Sequence, residues 1–261
     1  MNGVKPKKFL GQHFLTDLGV ARRIADTVDA CPDIPVLEVG PGMGVLTQYI
    51  ISKDREFKVV EIDFDSVPYL HEHFPELGDN IIQGDFLQMN LHEAFEGRPF
   101  VLTGNYPYNI SSQIFFKMVE NRDIIPCCTG MIQKEVAERM AASPGSKAYG
   151  VLSVLIQAWY DVEYLFTVDE HVFNPPPKVK SAVICLKRND KQSLGCDEQL
   201  FRRIVKTVFT MRRKMMRNGM RQILGKESPM LADPIFTKRP EQLSVQDYID
   251  LTNRVSAELY G

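Results

Sequence analysis

Cysteine is scarce and unpatterned. The five present (Cys31, Cys127, Cys128, Cys185 and Cys196) are odd in number, widely scattered and form no CxxC pair, which argues against a disulfide framework and a zinc site alike. His13, His71, His73, His92 and His171 have no ligand spacing with them, so no metal is expected. Long apolar runs are missing too. None approaches the roughly 18 residues that a membrane span needs, and Met1–Lys8 leads into no signal-peptide core. No membrane partner is expected, and the cytoplasm is the expected compartment. Low complexity is absent: 44% apolar and 25% charged residues are ordinary for a globular protein, long enough for an α/β domain with a small appendage. The last absence is one of sign. Net charge is −2, yet the stretch carrying Arg202, Arg203, Lys206, Arg212, Arg213, Lys214, Arg217 and Arg221 contains no acidic residue. A solvated helix face carries mixed signs; this block, with Lys5, Lys7 and Lys8 as a second, points to a polyanion.

Short apolar runs alternate with helix-like segments. Candidate strands are Pro35–Gly40, Lys58–Asp63, Asn80–Asp85, Phe100–Asn105, Cys128–Gln133, Val162–Val168 and Ser181–Arg188. Several are nearly continuous apolar runs, as expected of parallel strands covered on both faces. Candidate helices are Gly44–Lys53, Ser66–Phe74, Ser111–Glu120, Lys134–Ala142 and Val151–Tyr160. The alternation predicts a doubly wound, Rossmann-like α/β sheet. Asp169–Lys180 is proline-rich and no crossover helix, so the last two strands are expected as an antiparallel pair at one edge. Beyond Arg188, Asn189–Gly195 reads as a linker. The remainder of the chain reads as helical: a basic helix or helix pair over Asp197–Leu224, and a final helix opening at Ser244 with Asp247 in the capping-box position. The expected division is an α/β domain over 1–188 and a small all-helical domain over 189–261.

Leu37–Thr47 (LEVGPGMGVLT) combines a strand, a glycine-rich turn and a helix start. Gly40, Gly42 and Gly44 let the backbone turn tightly and approach a ligand at the carboxyl end of a strand, where open α/β sheets bind. The GxGxG spacing alone also suits an ordinary tight turn. Glu61 strengthens the ligand reading, because a carboxylate ending the second strand can accept hydrogen bonds from both ribose hydroxyls. NAD and S-adenosylmethionine sites share this feature, so it implies a nucleoside and not its chemistry. Asp63 is expected to cap the next helix. Asp85 and Phe86, after the third strand, offer an acceptor for an adenine amino group and an apolar face for its ring, with Asp85 not read as a general base.

Asn105-Tyr106-Pro107-Tyr108-Asn109-Ile110 follows the fourth strand and resembles the [DNS]-[PLY]-P-[YFW] signature of S-adenosylmethionine-dependent amino-methyltransferases. An exocyclic adenine amine is a poor nucleophile because its lone pair is delocalised into the ring. The Asn105 side-chain oxygen and the Tyr106 carbonyl can each accept one of its N–H groups, orienting the nitrogen for in-line transfer. Pro107 stiffens the turn, and Tyr108 supplies a face for an extruded base, worth about 1–3 kcal/mol.

Phe9–Leu15 (FLGQHFL), Phe173–Val183 (FNPPPKVKSAV) and Phe209–Asn218 (FTMRRKMMRN) are, in order along the chain, similar to the bacterial small-subunit rRNA adenine dimethyltransferases. The resemblance implies a class I methyltransferase fold, S-adenosylmethionine as methyl donor, and dimethylation of N6 on two adjacent adenines in the 3′-terminal hairpin loop of small-subunit rRNA. The implied substrate is an immature 30S particle late in assembly, and the expected state is a monomer. It implies cofactor contacts from His13, Leu15, Gly40, Glu61, Asp85 and Asn105, with His13 standing where the family often has asparagine, and it implies that Phe173 closes the base pocket opposite Tyr108. Lys178, Arg212, Arg213, Lys214 and Arg217, with Lys180, then fit as contacts to RNA phosphates, which position the substrate without reading its sequence. Three other readings compete: a large-subunit rRNA methyltransferase of the macrolide-resistance type, an assembly factor that mainly binds, and an NAD-dependent oxidoreductase.

Overall fold

The structure, a computed structural model, describes residues 13–261; Lys5, Lys7, Lys8 and residues 9–12 of the FLGQHFL stretch lie outside the described residues. Among the described residues, nine strands form two sheets. β1 (Phe14–Leu15) and β8 (Phe173–Asn174) pair antiparallel as a two-stranded ribbon. The other seven are β2 (Val36–Val39), β3 (Phe57–Glu61), β4 (Ile81–Gln83), β5 (Val101–Thr103), β6 (Cys127–Gln133), β7 (Tyr160–Val168) and β9 (Ser181–Arg188), in the order β4-β3-β2-β5-β6-β9-β7. β2 through β6 are joined in parallel, and β9 runs antiparallel to β6. All seven expected strands form. β2 and β5 are buried at every residue, which is why they read as largely apolar runs, interrupted in β2 by Glu38 and ending in β5 on Thr103. From β2 the chain builds outward through β3 and β4 and then returns to the other side of β2 as β5, so the order reverses between β2 and β5. Ligands of such sheets bind in the crevice at that reversal.

The helices are α1 (Leu18–Asp26), α2 (Thr47–Ile50), α3 (Ser66–His73), α4 (Ser111–Glu120), α5 (Lys134–Ala141), α6 (Val151–Gln157), α7 (Glu198–Thr210), α8 (Met216–Leu224) and α9 (Val245–Tyr260). α2 is much shorter than the expected 44–53 helix, because positive φ at Gly42 and Gly44 (+56° and +77°) keeps the chain in a turn until Thr47. The basic segment is a helix pair. α7 starts where the Asp197 carboxylate accepts from the N–H groups of Gln199 and Leu200 (2.8 and 3.0 Å). The capping box forms at α9, with Ser244 Oγ accepting from Asp247 N (3.1 Å) and Asp247 Oδ2 from Ser244 N (2.8 Å).

The compact units differ from the expected division at 188. One comprises the chain to Ala137 with Asp161–Arg188; the other joins Glu138–Tyr160 to Asn189–Gly261. The apolar stripe of α7 (Leu200, Phe201, Ile204, Val205, Val208) needs a cover, and α6 packs on it. Asn189 N donates to Trp159 O (2.9 Å), tying the two pieces together where the second one begins. A second correction concerns cysteine. Cys31 and Cys127 form a disulfide across 96 residues, with Cys185 the third sulfur of a buried group spanning no more than 4.8 Å; spacing along the chain is blind to a pair that meets only through the fold. Among the described residues no helix is long and apolar enough to cross a membrane.

Candidate active site

The ends of β2, β3, β4 and β5 open onto one cavity, lined on the nucleoside side by Gly40, Gly42, Glu61, Asp85 and Phe86. Glu61 is 3% exposed and holds the glycine turn: its Oε2 accepts from Gly42 N (2.9 Å) and its Oε1 from Asp63 N (2.8 Å). Burial raises its pKa, opposed by those backbone N–H groups. Each carboxylate oxygen keeps a second lone pair, so the diol-accepting role expected of Glu61 fits alongside a structural one that the sequence did not suggest. Asp63 Oδ1 accepts from Asp65 N (3.0 Å) and its main-chain oxygen from Ser66 N (3.0 Å), closing the turn at the start of α3. Asp85 Oδ1 accepts from Leu87 N (2.8 Å), and Phe86, 4% exposed, presents an apolar surface beside it. Two acidic groups, a glycine cradle and an apolar wall suit an adenosine.

Glu38, which the sequence reading passed over, lies under this cradle. It is 1% exposed, its Oε2 accepts from Thr47 Oγ1 (2.7 Å), and burial pushes its pKa up to about 8. Between the ordinary value of 4.5 and about 8 the folded protein therefore keeps a proton that the unfolded chain has released, so this group makes stability fall as pH rises through that window. Glu38→Gln should flatten the decline: the Tm difference between variant and wild type grows from pH 5 towards pH 8, whereas parallel curves would mean that the carboxyl ionises normally.

On the opposite side of the cavity stands the Asn105–Tyr108 turn. Gly104 and Gly130 bring the backbones of β5 and β6 so close that a Cβ on Gly130 would lie 2.3 Å from Gly104 O. Met131 N donates to Gly104 O and Tyr106 N to Met131 O (both 3.0 Å), which fixes where β5 delivers Asn105. The Tyr106 ring is core, with its hydroxyl donating to Thr129 O (2.9 Å) and its edge on Phe115. That anchors the peptide whose carbonyl was expected to matter. Pro107 lines the cavity. Asn105 Nδ2 donates to His13 O (3.4 Å), leaving Oδ1 as the acceptor end of the amide. Tyr108 is half-buried, its hydroxyl bonded to Ser181 Oγ.

His13 and Leu15 reach this cavity through the β1–β8 ribbon, which two-residue strands gave no way to foresee. Its register sets Leu15 opposite Phe173, so the two side chains share a face, and that face is the core. Phe173 is 3% exposed among core residues including Val168 and Val183. Phe173, expected to close the pocket opposite Tyr108, packs beside Leu15, which itself lines the cavity; the ring stacked on that of Tyr108 is His13's, at 5.4 Å between centroids and 29° between planes.

The basic residues divide. Arg213 and Lys214 are exposed, as is Lys178 in the other unit. Lys180 pairs with Asp169. Arg212 is committed internally: its Nη2 donates to Ser146 O and Lys147 O, and its Nε lies 4.0 Å from Glu241. Arg217 is half-buried, its Nε without a hydrogen-bond partner among the described residues. Charge patterning finds such residues but not which of them face water.

Comparison with known proteins adds three observations. The family model described as "Ribosomal RNA adenine dimethylase" matches residues 3–255. Proteins named "Ribosomal RNA small subunit methyltransferase A" from Phocaeicola vulgatus and Bacteroides thetaiotaomicron are each 71% identical over 259 residues, covering 99% of this chain and 92% and 97% of theirs. A crystal structure of a dimethyladenosine transferase from Plasmodium falciparum superposes with a TM-score of 0.77 at 24% identity, covering 94% of this chain and 98% of that one, a likeness of fold; that of the 23S rRNA methyltransferase ErmE does so with 0.66 at 27%, covering 92% and 99%.

Proposed function

Since the chain belongs to the ribosomal RNA adenine dimethylase family, we propose that its cavity holds an adenine drawn out of small-subunit rRNA against the methyl end of S-adenosylmethionine. The protein is an S-adenosylmethionine-dependent methyltransferase that dimethylates small-subunit rRNA adenines. The finer reading is that the targets are two adjacent adenines of the 3′-terminal hairpin loop, modified at N6 by a monomer acting in the cytoplasm on an immature 30S particle.

S-adenosylmethionine supplies an electrophilic methyl on a sulfonium, itself a good leaving group. Glu61 and the Gly40–Gly42 turn would hold its ribose and tail, and Asp85 with Phe86 its adenine. The target amine is the chain's own task. Asn105 Oδ1 and Tyr106 O accept its two N–H groups, drawing the nitrogen out of conjugation so that its lone pair points across the cavity. Once one N–H has been replaced by methyl, the other still has an acceptor, which is what a second transfer requires. Tyr108 carries the face of the base. The observation that carries this reading is the Asn105 amide, one of whose N–H groups donates to His13 O, which orients the group and leaves Oδ1 to accept from the substrate amine. Radiolabelled methyl transfer to undermethylated small subunits, with mapping of the modified nucleotides, tests it: two adjacent dimethylated adenines are expected, and label elsewhere would refute the assignment.

The helical unit's exposed Arg213 and Lys214 would bind RNA phosphates. The double variant Arg213→Glu/Lys214→Glu should weaken particle binding and lower the slope of log affinity against log salt by about 1–2, with S-adenosylhomocysteine binding unchanged. An unaltered slope would mean that these side chains face away from the RNA. Arg212→Glu is a poor probe of the same question, because it would also release the loop at Ser146–Lys147.

A further inference from the structure

We infer that Lys117 is a positioning residue for the methyl donor: from α4 it sets the turn that carries Asp85 and Phe86, and through that turn it makes the site select adenine. The inference rests on the reading of Asp85 and Phe86 as the adenine pocket. Lys117 is not among the residues that line the cavity. Its half-buried ammonium donates to two carbonyls of the turn after β4, Leu87 O (2.8 Å) and Met89 O (2.6 Å). It also stands over the Phe86 ring, 5.7 Å from the centroid, within range of a cation–π contact. Hydrogen bonds from a charged donor are the stronger kind, and partial burial strengthens them further.

Leu87 links the ammonium to the carboxylate. Its carbonyl accepts from Lys117 Nζ, and its N–H donates to Asp85 Oδ1 (2.8 Å). Gln88 N and Met89 N close the turn by donating to Asp85 O (2.9 and 3.0 Å). The residue that Lys117 holds is therefore the one that orients the Asp85 carboxylate, with Oδ2 the acceptor for an adenine amino group. Burial lowers the Lys117 pKa and the charges of Asp85 and Glu120 oppose that, so ammonium and carboxylate attract each other across the turn. α4 gives the arrangement its reach. The helix opens at Ser111, directly after the Asn105–Ile110 turn, and Lys117 follows in its second turn, about 9 Å along the axis. One rigid element thus spaces the seat of the target amine from the seat of the donor's base.

The test compares Kd for S-adenosylhomocysteine with Kd for its 6-deamino analogue (purine in place of adenine), alongside KM for undermethylated small subunits. The wild type should prefer the adenine compound about 30-fold, the loss of one hydrogen bond to a charged acceptor. Lys117→Met keeps an unbranched side chain without the donors. It should raise Kd for S-adenosylhomocysteine about 10-fold, leave Kd for the analogue within about threefold, and hold the RNA KM within about twofold. Retained binding of the analogue shows that the variant is folded. Lys117→Gln keeps a donor for one carbonyl and should fall between, which preserves the test where the methionine variant is unstable. Asp85→Ala should abolish the preference, and adding Lys117→Met to it should change neither Kd by more than about threefold. An undiminished adenine preference in the Lys117 variants, or additive effects in the double variant, would overturn the assignment. Both Kd values and the RNA KM rising together would do so as well, by making Lys117 a general prop of α4. A wild type that bound the two compounds alike would remove the reading of Asp85 and Phe86 itself; a discriminating wild type with an indifferent Lys117 would remove only this inference.

Discussion

Asn105→Ala should reduce single-turnover methyl transfer at least about 100-fold while binding to immature small subunits stays within about threefold. The alanine removes Oδ1, one of two acceptors for the amine, and leaves the Tyr106 carbonyl alone to orient a nitrogen whose lone pair prefers the ring. The anchoring of Tyr106 through Thr129 O and Met131 O does not pass through the Asn105 side chain, so the turn should keep its shape. Asn105→Asp is the informative companion: it retains acceptors but loses the donor that holds the group on His13 O, and activity between wild type and Asn105→Ala is expected. Single-turnover rates of Asn105→Ala within about threefold of wild type would show that its amide is not an acceptor in the transition state.

The second large effect is expected at a residue that has no side chain. Gly130 has φ +137°, and a Cβ there would sit 2.3 Å from Gly104 O and 2.8 Å from the Tyr106 ring. Gly130→Ala combines backbone strain with a collision against main chain, a cost of about 3 kcal/mol or more. For a chain of this size that lowers Tm by roughly 6–12 °C. Gly97→Ala is the control, since Gly97 has φ +77° but nothing within 4 Å of an added Cβ; strain alone should cost about 1–2 kcal/mol. The relief available to Gly130→Ala is for β5 and β6 to part where Met131 N meets Gly104 O, which shifts Asn105. The variant should therefore lose methyl transfer even at temperatures where it remains folded. Equal Tm values for the two variants would show that the strands are not in close contact there.

Much of the first unit could be read before it was seen. Val36–Val39 and Val101–Thr103 are buried on both faces, a condition that leaves largely apolar runs in the chain, and βα alternation then puts Gly40, Glu61, Asp85 and Asn105 at strand ends on one edge of the sheet. Each of those residues announces itself within its own few neighbours. The start of α9 does so too, since Ser244 and Asp247 complete one another three residues apart. Other features have the opposite property. The motif around Phe173 gave no sign of its cross-strand neighbour Leu15, 158 positions away through a ribbon of two-residue strands. Arg212 looked like a phosphate ligand because the sequence around it is basic; what engages it is a loop 65 residues earlier.

Sequence alone thus settled the elements, their alternation, and which loops line the cavity, because hydrophobic period, glycine turns and caps are local and leave local marks. Which rings meet, which cysteines pair, which arginines face water, and the attachment of Glu138–Tyr160 to the helical unit were settled by folding. Those outcomes turn on contacts between distant segments, whose free energy depends on what packs against what and leaves no periodic trace in the chain.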